Sequence, residues 1–192
     1  RPAAVYISDA LSERGQQLVE RFQSQGVPIT TLTREVMQHI SETETSQGIL
    51  LVVPSPSIQS AATLDFVLIL DQIRDPGNAG TILRSAAAAG VQRVIAAPNT
   101  TDLFAPKVVR AGMGAHFRLD LQTLSWQQIH DLCKNQPYPL TLLMADSNAS
   151  QTLWQFDLRA PVALVIGSEA EGGSASARDF ADASALIPMP GK

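Results

Sequence analysis

Three stretches of the sequence hold residues whose types and spacing suit chemistry on an anion or a sugar hydroxyl. The first, from Leu70 to Gly90, contains Asp75, Pro76, Gly77, Asn78, Gly80, Thr81 and Arg84. A turn at Asp75-Pro76-Gly77 that feeds an alanine-rich helix offers unpaired N–H groups to a negatively charged partner. Thr81 and Arg84 are three apart and share a side of that helix. Asn78 lies at its mouth, where it can orient Arg84 or a substrate hydroxyl. A plainer reading stays open, with Asn78 capping the helix and Arg84 reaching into water. The second stretch, Val162 to Ser174, runs from an apolar strand straight into Gly167, Ser168, Glu169, Gly172 and Gly173. It lacks the Gly-Lys-Ser/Thr ending of a Walker A loop and the G-x-G-x-x-G spacing of a dinucleotide site. What it offers is a compact loop whose backbone can wrap a small molecule, with Glu169 accepting from ligand hydroxyls or holding loop N–H groups. Ser176 and Asp179 fit a capping box for the next helix, which makes Asp179 structural. The third stretch, Ala185 to Lys192, is a short apolar strand that enters a Pro-Gly turn.

These loops need a frame. Up to about residue 60 the pattern is strand, helix, strand, helix, strand, with Val5-Tyr6-Ile7 as the first strand and Ser12 to Gln25 as an amphipathic helix. Gly26 stops that helix, and Pro54 ends the β-branched run Ile49 to Val53. The polar, small-residue stretch 55–63 reads as a linker. The division is therefore 1–54, a small first domain, and 64–192, a second. In the second, apolar strands at Phe66 to Leu70, Val94 to Ala96, Leu140 to Met144 and Val162 to Ile166 alternate with helices near 79–89, 105–112 and 125–134. Continuous apolar strands separated by helices predict an α/β fold with a parallel sheet covered on both faces. Such sheets bind ligands at the carboxyl ends of their strands, which are the loops after Leu70, Ile166 and Leu186.

The chain has 192 residues, 45% hydrophobic, 17% charged, and a net charge of -4. The balance excludes a basic domain that wraps nucleic acid, yet residues 74 to 118 carry six Arg or Lys against two Asp. A basic island on an acidic chain suits an anionic ligand, or simply a solvated helix face. The single cysteine, Cys133, excludes an internal disulfide, and His39, His116 and His130 lack ligand spacing, so no metal site is expected. No run reaches 18 apolar residues and no leader is visible, which leaves no membrane role and the cytoplasm as the expected compartment. The start at Arg1, and a final strand that feeds a loop with nothing after it, lead us to expect further residues at both ends.

Together the three loops resemble the SpoU branch of the SPOUT RNA 2'-O-ribose methyltransferases. The family's Asn-x-Gly-x-x-x-Arg motif corresponds to Asn78, Gly80 and Arg84. Its Gly-x-Glu-x-x-Gly motif corresponds to Gly167, Glu169 and Gly172, and its Ile-Pro-Met-x-Gly segment to Ile187, Pro188, Met189 and Gly191. The stretch Phe104 to Ala115 is similar to a fourth family segment, with Gly112 where Ser is usual. Residues 43–53 resemble the end of the small RNA-binding domain that precedes the catalytic domain in many members.

The resemblance implies a parallel sheet whose C-terminal part forms a trefoil knot, an exception to the rule against threading. It implies S-adenosylmethionine held by Gly167, Ser168, Glu169, Gly172, Ile187, Met189 and Gly191, and a homodimer. The family's third cofactor loop, a Ser-Leu-Asn segment, would follow Lys192, so a chain ending there is expected to be inactive by itself. The implied reaction is attack of a ribose 2'-hydroxyl on the cofactor's methyl, with Arg84 and Asn78 as catalytic residues and Lys107 and Arg110 on the RNA backbone. A guanidinium is a very poor proton acceptor, so Arg84 suits a phosphate or developing alkoxide better than the role of base. Lys107 and Arg110 also fit plain surface charge. Ribosomal RNA is favoured over transfer RNA as substrate, and the alternative is a non-catalytic RNA-binding module of the same fold.

Overall fold

The computed structural model of the chain describes residues 1–188 except 10, 42, 44, 57, 59, 60 and 170. Met189 and Gly191, and three positions of the expected linker, lie outside the described residues. The chain divides into two compact units, Arg1–Pro56 and Ser57–Lys192. Among the described residues no helix is long and apolar enough to cross a membrane.

The first unit runs β1 (Ala4–Ile7), α1 (Glu13–Ser24), β2 (Ile29–Thr31), α2 (Arg34–Ile40) and β3 (Ile49–Val52). β1 is central, parallel to β2 and antiparallel to β3. Ser12 and Thr33 start the helices by accepting from the N–H groups of Gly15 and Val36, and Gly26 ends α1's turn at φ +67°. The apolar side chains it buries, Val5, Val27 and Met37, make a small core.

The second unit continues with β4 (Phe66–Leu70), α3 (Pro76–Ala89), β5 (Arg93–Ala96), α4 (Pro106–Ala111), β6 (Asp120–Thr123), α5 (Trp126–Lys134), β7 (Thr141–Ala145), β8 (Val162–Ile166), α6 (Ala175–Phe180) and β9 (Ala183–Ala185). The strands form one six-stranded sheet in the order β6-β5-β4-β8-β7-β9, every pair parallel. Alternation along β4 splits the core in two. Val67 and Ile69 join Trp126, Ile129, Cys133 and Ala177 of α5 and α6, while Leu68 and Leu70 join Ala79, Leu83 and Val108 of α3 and α4. The expected parallel α/β sheet is present.

Local differences from the sequence reading have physical causes. α3 begins at Pro76, three residues early, because Asp75 caps it by accepting from the Asn78 N–H at 2.8 Å and proline suits the first helical position. Asn78 is therefore not the cap. Ser174, not Ser176, caps α6, accepting from the Ala177 N–H at 3.0 Å. β6 escaped notice because Asp120-Leu121-Gln122-Thr123 is a polar edge strand without an apolar run. Arg93, counted in the basic island, is buried and paired with Asp120 at 2.7 Å, so it adds nothing to surface charge.

Gly80 fixes how α3 meets α4. A methyl there would overlap the Cβ of Ala111 and stand 2.8 Å from the carbonyl oxygen of Val108. In Gly80→Ala the gain in helix propensity, about 1 kcal/mol, meets an overpacking cost of about 1–3 kcal/mol against backbone that cannot step aside. Urea unfolding should show a net loss of stability. Burial pushes the Cys133 thiol up to about 11, and the side chain has no exposed surface. Iodoacetamide at pH 8 should leave the native protein unlabelled and label it fully in urea; equal rates would contradict that packing.

Candidate functional site

β4 and β8 are neighbours although they are far apart in sequence, and their last residues, Leu70 and Ile166, are register partners. From β4 the chain turns to one side, to β5, while β7 and β8 lie on the other. This reversal opens a crevice at the carboxyl ends of the strands. The first two loops flagged in the sequence meet there.

A buried carboxylate holds them together. Asp71, with no exposed surface, donates its N–H to the Ile166 carbonyl at 2.9 Å. Its side chain accepts from the N–H of Ser174 at 2.6 Å and from the Ser174 hydroxyl at 3.1 Å. Four residues on, Asp75 caps α3, which places Asn78 in the first turn. The Asn78 Nδ2 then donates to Glu169 Oε1 at 2.6 Å, bridging α3 to the glycine-rich loop. Asn78 thus pairs with Glu169 rather than Arg84.

The glycine-rich loop closes on itself. Ser168 and Gly172 exchange N–H···O bonds, each 2.9 Å long, and the Ser168 hydroxyl accepts from the Glu171 N–H at 3.1 Å. At Gly167 a methyl would overlap the carbonyl of Gly172 and lie 2.5 Å from the nitrogen of Gly173, so only glycine fits. Gly172 adopts φ +67°. The result is a turn lined by backbone groups.

Two cavities share this loop. The smaller, about 330 Å³, is walled by Gln72, Ile73, Arg74, Asn78, Ile82, Glu169 and Glu171. The larger, about 520 Å³, lies among Asp146, Ser147, Asn148, Gly167, Ser168, Glu169, Gly172, Arg178 and Ile187. Asn78, Gly167, Ser168, Glu169, Gly172 and Ile187 are therefore brought together. Arg84 is not. It is exposed on α3, lines neither cavity, and among the described residues no hydrogen bond or ion pair holds it. Lys107 and Arg110 are exposed on α4. Sequence reasoning missed Asp71, Ser174 and Asp146. The available signal for Asp71 was an acidic residue placed directly after an uninterrupted apolar strand.

Removing the Asp71 carboxylate should unlock the crevice. Asp71→Ala leaves two donors of Ser174 without a partner, at about 1–3 kcal/mol each, so urea unfolding should show about 2–6 kcal/mol of lost stability. Amide exchange at Ser174 should quicken more than exchange in β4. Unchanged exchange there would mean that the loop is held by something else.

Residues 65–192 match the SpoU rRNA Methylase family, and residues 3–59 match the family of RNA 2'-O ribose methyltransferase substrate binding domains. The chain is 30% identical over 186 residues to an uncharacterized tRNA/rRNA methyltransferase of Synechocystis sp., covering 92% of this chain and 65% of that protein. It is 28% identical over 167 residues to the 23S rRNA (guanosine(2553)-2'-O)-methyltransferase RlmP of Bacillus subtilis, covering 87% and 66%. The chain thus spans less than two thirds of either relative. In fold it is similar to the SpoU methyltransferase AviRb from Streptomyces viridochromogenes, at TM-score 0.83 and 24% identity over all of this chain and 74% of that one. AviRb has also been solved in complex with the cofactor AdoMet, and that structure aligns at TM-score 0.82 over 75% of its chain, again at 24% identity. With two thirds of its length matched by that family, and with Asn78, Gly167, Glu169 and Gly172 of its motifs meeting in one crevice, the chain belongs to the SpoU rRNA methylase family.

Proposed function

We propose that this protein methylates RNA on ribose 2'-oxygens, taking the methyl group from S-adenosylmethionine, and that its substrate is ribosomal rather than transfer RNA. The Asn78–Glu169 hydrogen bond carries the proposal, because it joins the helix mouth that would meet the ribose to the loop that would hold the cofactor. Family membership supports the chemistry, and the name of the Bacillus subtilis relative supports the ribosomal preference.

The larger cavity fits the cofactor. Its volume of about 520 Å³ is in the range of small-molecule sites, and Gly167 lets backbone approach where a side chain would block it. Gly167, Ser168, Gly172 and Ile187 would hold the cofactor, with Glu169 and Asp146 at the rim; Met189 and Gly191 are proposed contacts beyond the described residues. Bound there, S-adenosylmethionine supplies an electrophilic methyl on a cationic sulfur.

A ribose hydroxyl is a weak nucleophile, so the protein must favour its developing negative charge. With its Nδ2 committed to Glu169, Asn78 has an Oδ1 that no donor among the described residues uses, free to accept from the 2'-hydroxyl and orient it. Arg84 supplies positive charge to a phosphate or to the emerging alkoxide, and its exposure leaves it available to docked RNA. Lys107 and Arg110 are placed to meet the RNA backbone. We further propose that the second unit is knotted at its C-terminal end, that the protein pairs as a homodimer, and that the first unit contributes to RNA binding.

Methylation assays with the whole protein on ribosomal and transfer RNA transcripts, followed by nucleoside mass spectrometry, should yield 2'-O-methylnucleosides, more from ribosomal RNA. Base-methylated products would overturn the assignment. In Arg84→Ala the single-turnover rate should fall about 100-fold or more, the usual scale for losing a group that stabilises developing charge, while cofactor affinity stays within about threefold. Equal losses of rate and affinity would place Arg84 in the cofactor site instead.

A further inference from the structure

We propose that Arg178 is a positioning residue that clamps two loops of the larger cavity in the geometry that receives a ligand. It stands on α6, and no motif or spacing in the sequence singles it out. Its Nη1 donates to the Gly173 carbonyl at 2.8 Å, and its Nη2 lies 3.7 Å from Asp146 Oδ2. Gly173 closes the glycine-rich loop after β8, and Asp146 opens the loop after β7. One guanidinium therefore ties the two together.

Both partners are themselves held. Asp146 donates its N–H to the Ala185 carbonyl at 3.0 Å and accepts from the Asn148 N–H at 2.8 Å through Oδ1, which leaves Oδ2 for Arg178. Gly173 presses on β7, where a methyl would lie 2.5 Å from the sulfur of Met144. The Asp146 side chain is 15% exposed and that of Arg178 is 48% exposed, so the clamp sits at the cavity mouth rather than in the core. A guanidinium fork can serve a carbonyl and a carboxylate at once, whereas an ammonium serves one of them well. Without Arg178 the Gly173 carbonyl loses its charged donor and Asp146 loses its counter-ion. The loops then have more positions open to them, and a ligand must meet the cost of ordering them. Ligand affinity, more than folding, should report the clamp.

The inference rests on the reading of this cavity as the S-adenosylmethionine site. The test measures dissociation constants for S-adenosylhomocysteine and for 5'-methylthioadenosine, which lacks the amino acid portion, by calorimetry on the full chain. Arg178→Gln should weaken both ligands to a similar degree, about tenfold, as expected for one lost charge-assisted bond. Arg178→Lys should recover part of that loss. Asp146→Asn keeps the bond to Asn148 and should cost less, and its added cost in Arg178→Gln should be smaller than its cost in the wild type. The urea midpoint should hold in every variant. Unchanged affinities would overturn the proposal, as would a midpoint that falls in step with affinity. Weakening of S-adenosylhomocysteine alone would also overturn it, because Arg178 would then touch the amino acid portion directly. Wild-type protein that binds neither ligand would overturn the cofactor reading itself.

Discussion

Asp71 has no contact with water, and a carboxylate in that position is costly unless its oxygens are occupied. Its requirement is met from across the sheet, by the amide and hydroxyl of Ser174, 103 residues later. Because the same Ser174 hydroxyl caps α6, one buried group settles three things together: where β4 ends, where the glycine-rich loop ends and where α6 begins. The rest of the crevice follows from that anchor. Asp75 is four residues downstream and starts α3, and the first turn of α3 then delivers Asn78 to Glu169.

The larger cavity that results is made mostly of backbone and short polar side chains. Gly167 and Gly172 allow a turn tight enough for Ser168 to pair with Gly172. Long side chains, Arg74 among them, wall mainly the smaller cavity, and the other cations near the crevice divide into two groups. Arg178 is engaged by Gly173 and Asp146, whereas Arg84, Lys107 and Arg110 point into solvent from α3 and α4. A ligand wrapped by loops and a polyanion met by exposed charge need these different arrangements.

How much of this the sequence displays depends on the range of the interaction. Strands such as Phe66–Leu70 and Val162–Ile166 are legible with their correct ends, because each is an unbroken apolar run flanked by aspartate, proline or glycine. The glycine-rich loop was legible because its composition is local. The polar edge strand Asp120–Thr123 was not, since its pairing with β5 rather than its composition makes it a strand. The start of α6 was misplaced because Ser176 has the better local pattern, while Ser174 has the tertiary partner. The Asn78–Glu169 bond spans 91 residues, and no spacing rule links them. Each residue stands out in its own loop, but the partners that local position offers Asn78 are Arg84 or a substrate hydroxyl, not Glu169.

The strand order carries a cost in time. β4 lies between β5, which follows it closely, and β8, which begins roughly 90 residues after Leu70. At translation speeds of about 5–20 residues per second, one edge of this apolar strand waits roughly 5–20 s for its neighbour. An open edge of that kind is a template for pairing with another chain. The contacts that close it, including Asp71 with Ser174, are of high sequence separation and so form late. The protein's exposure to aggregation is therefore concentrated in its synthesis, and the crevice is among the last parts of the molecule to come into being.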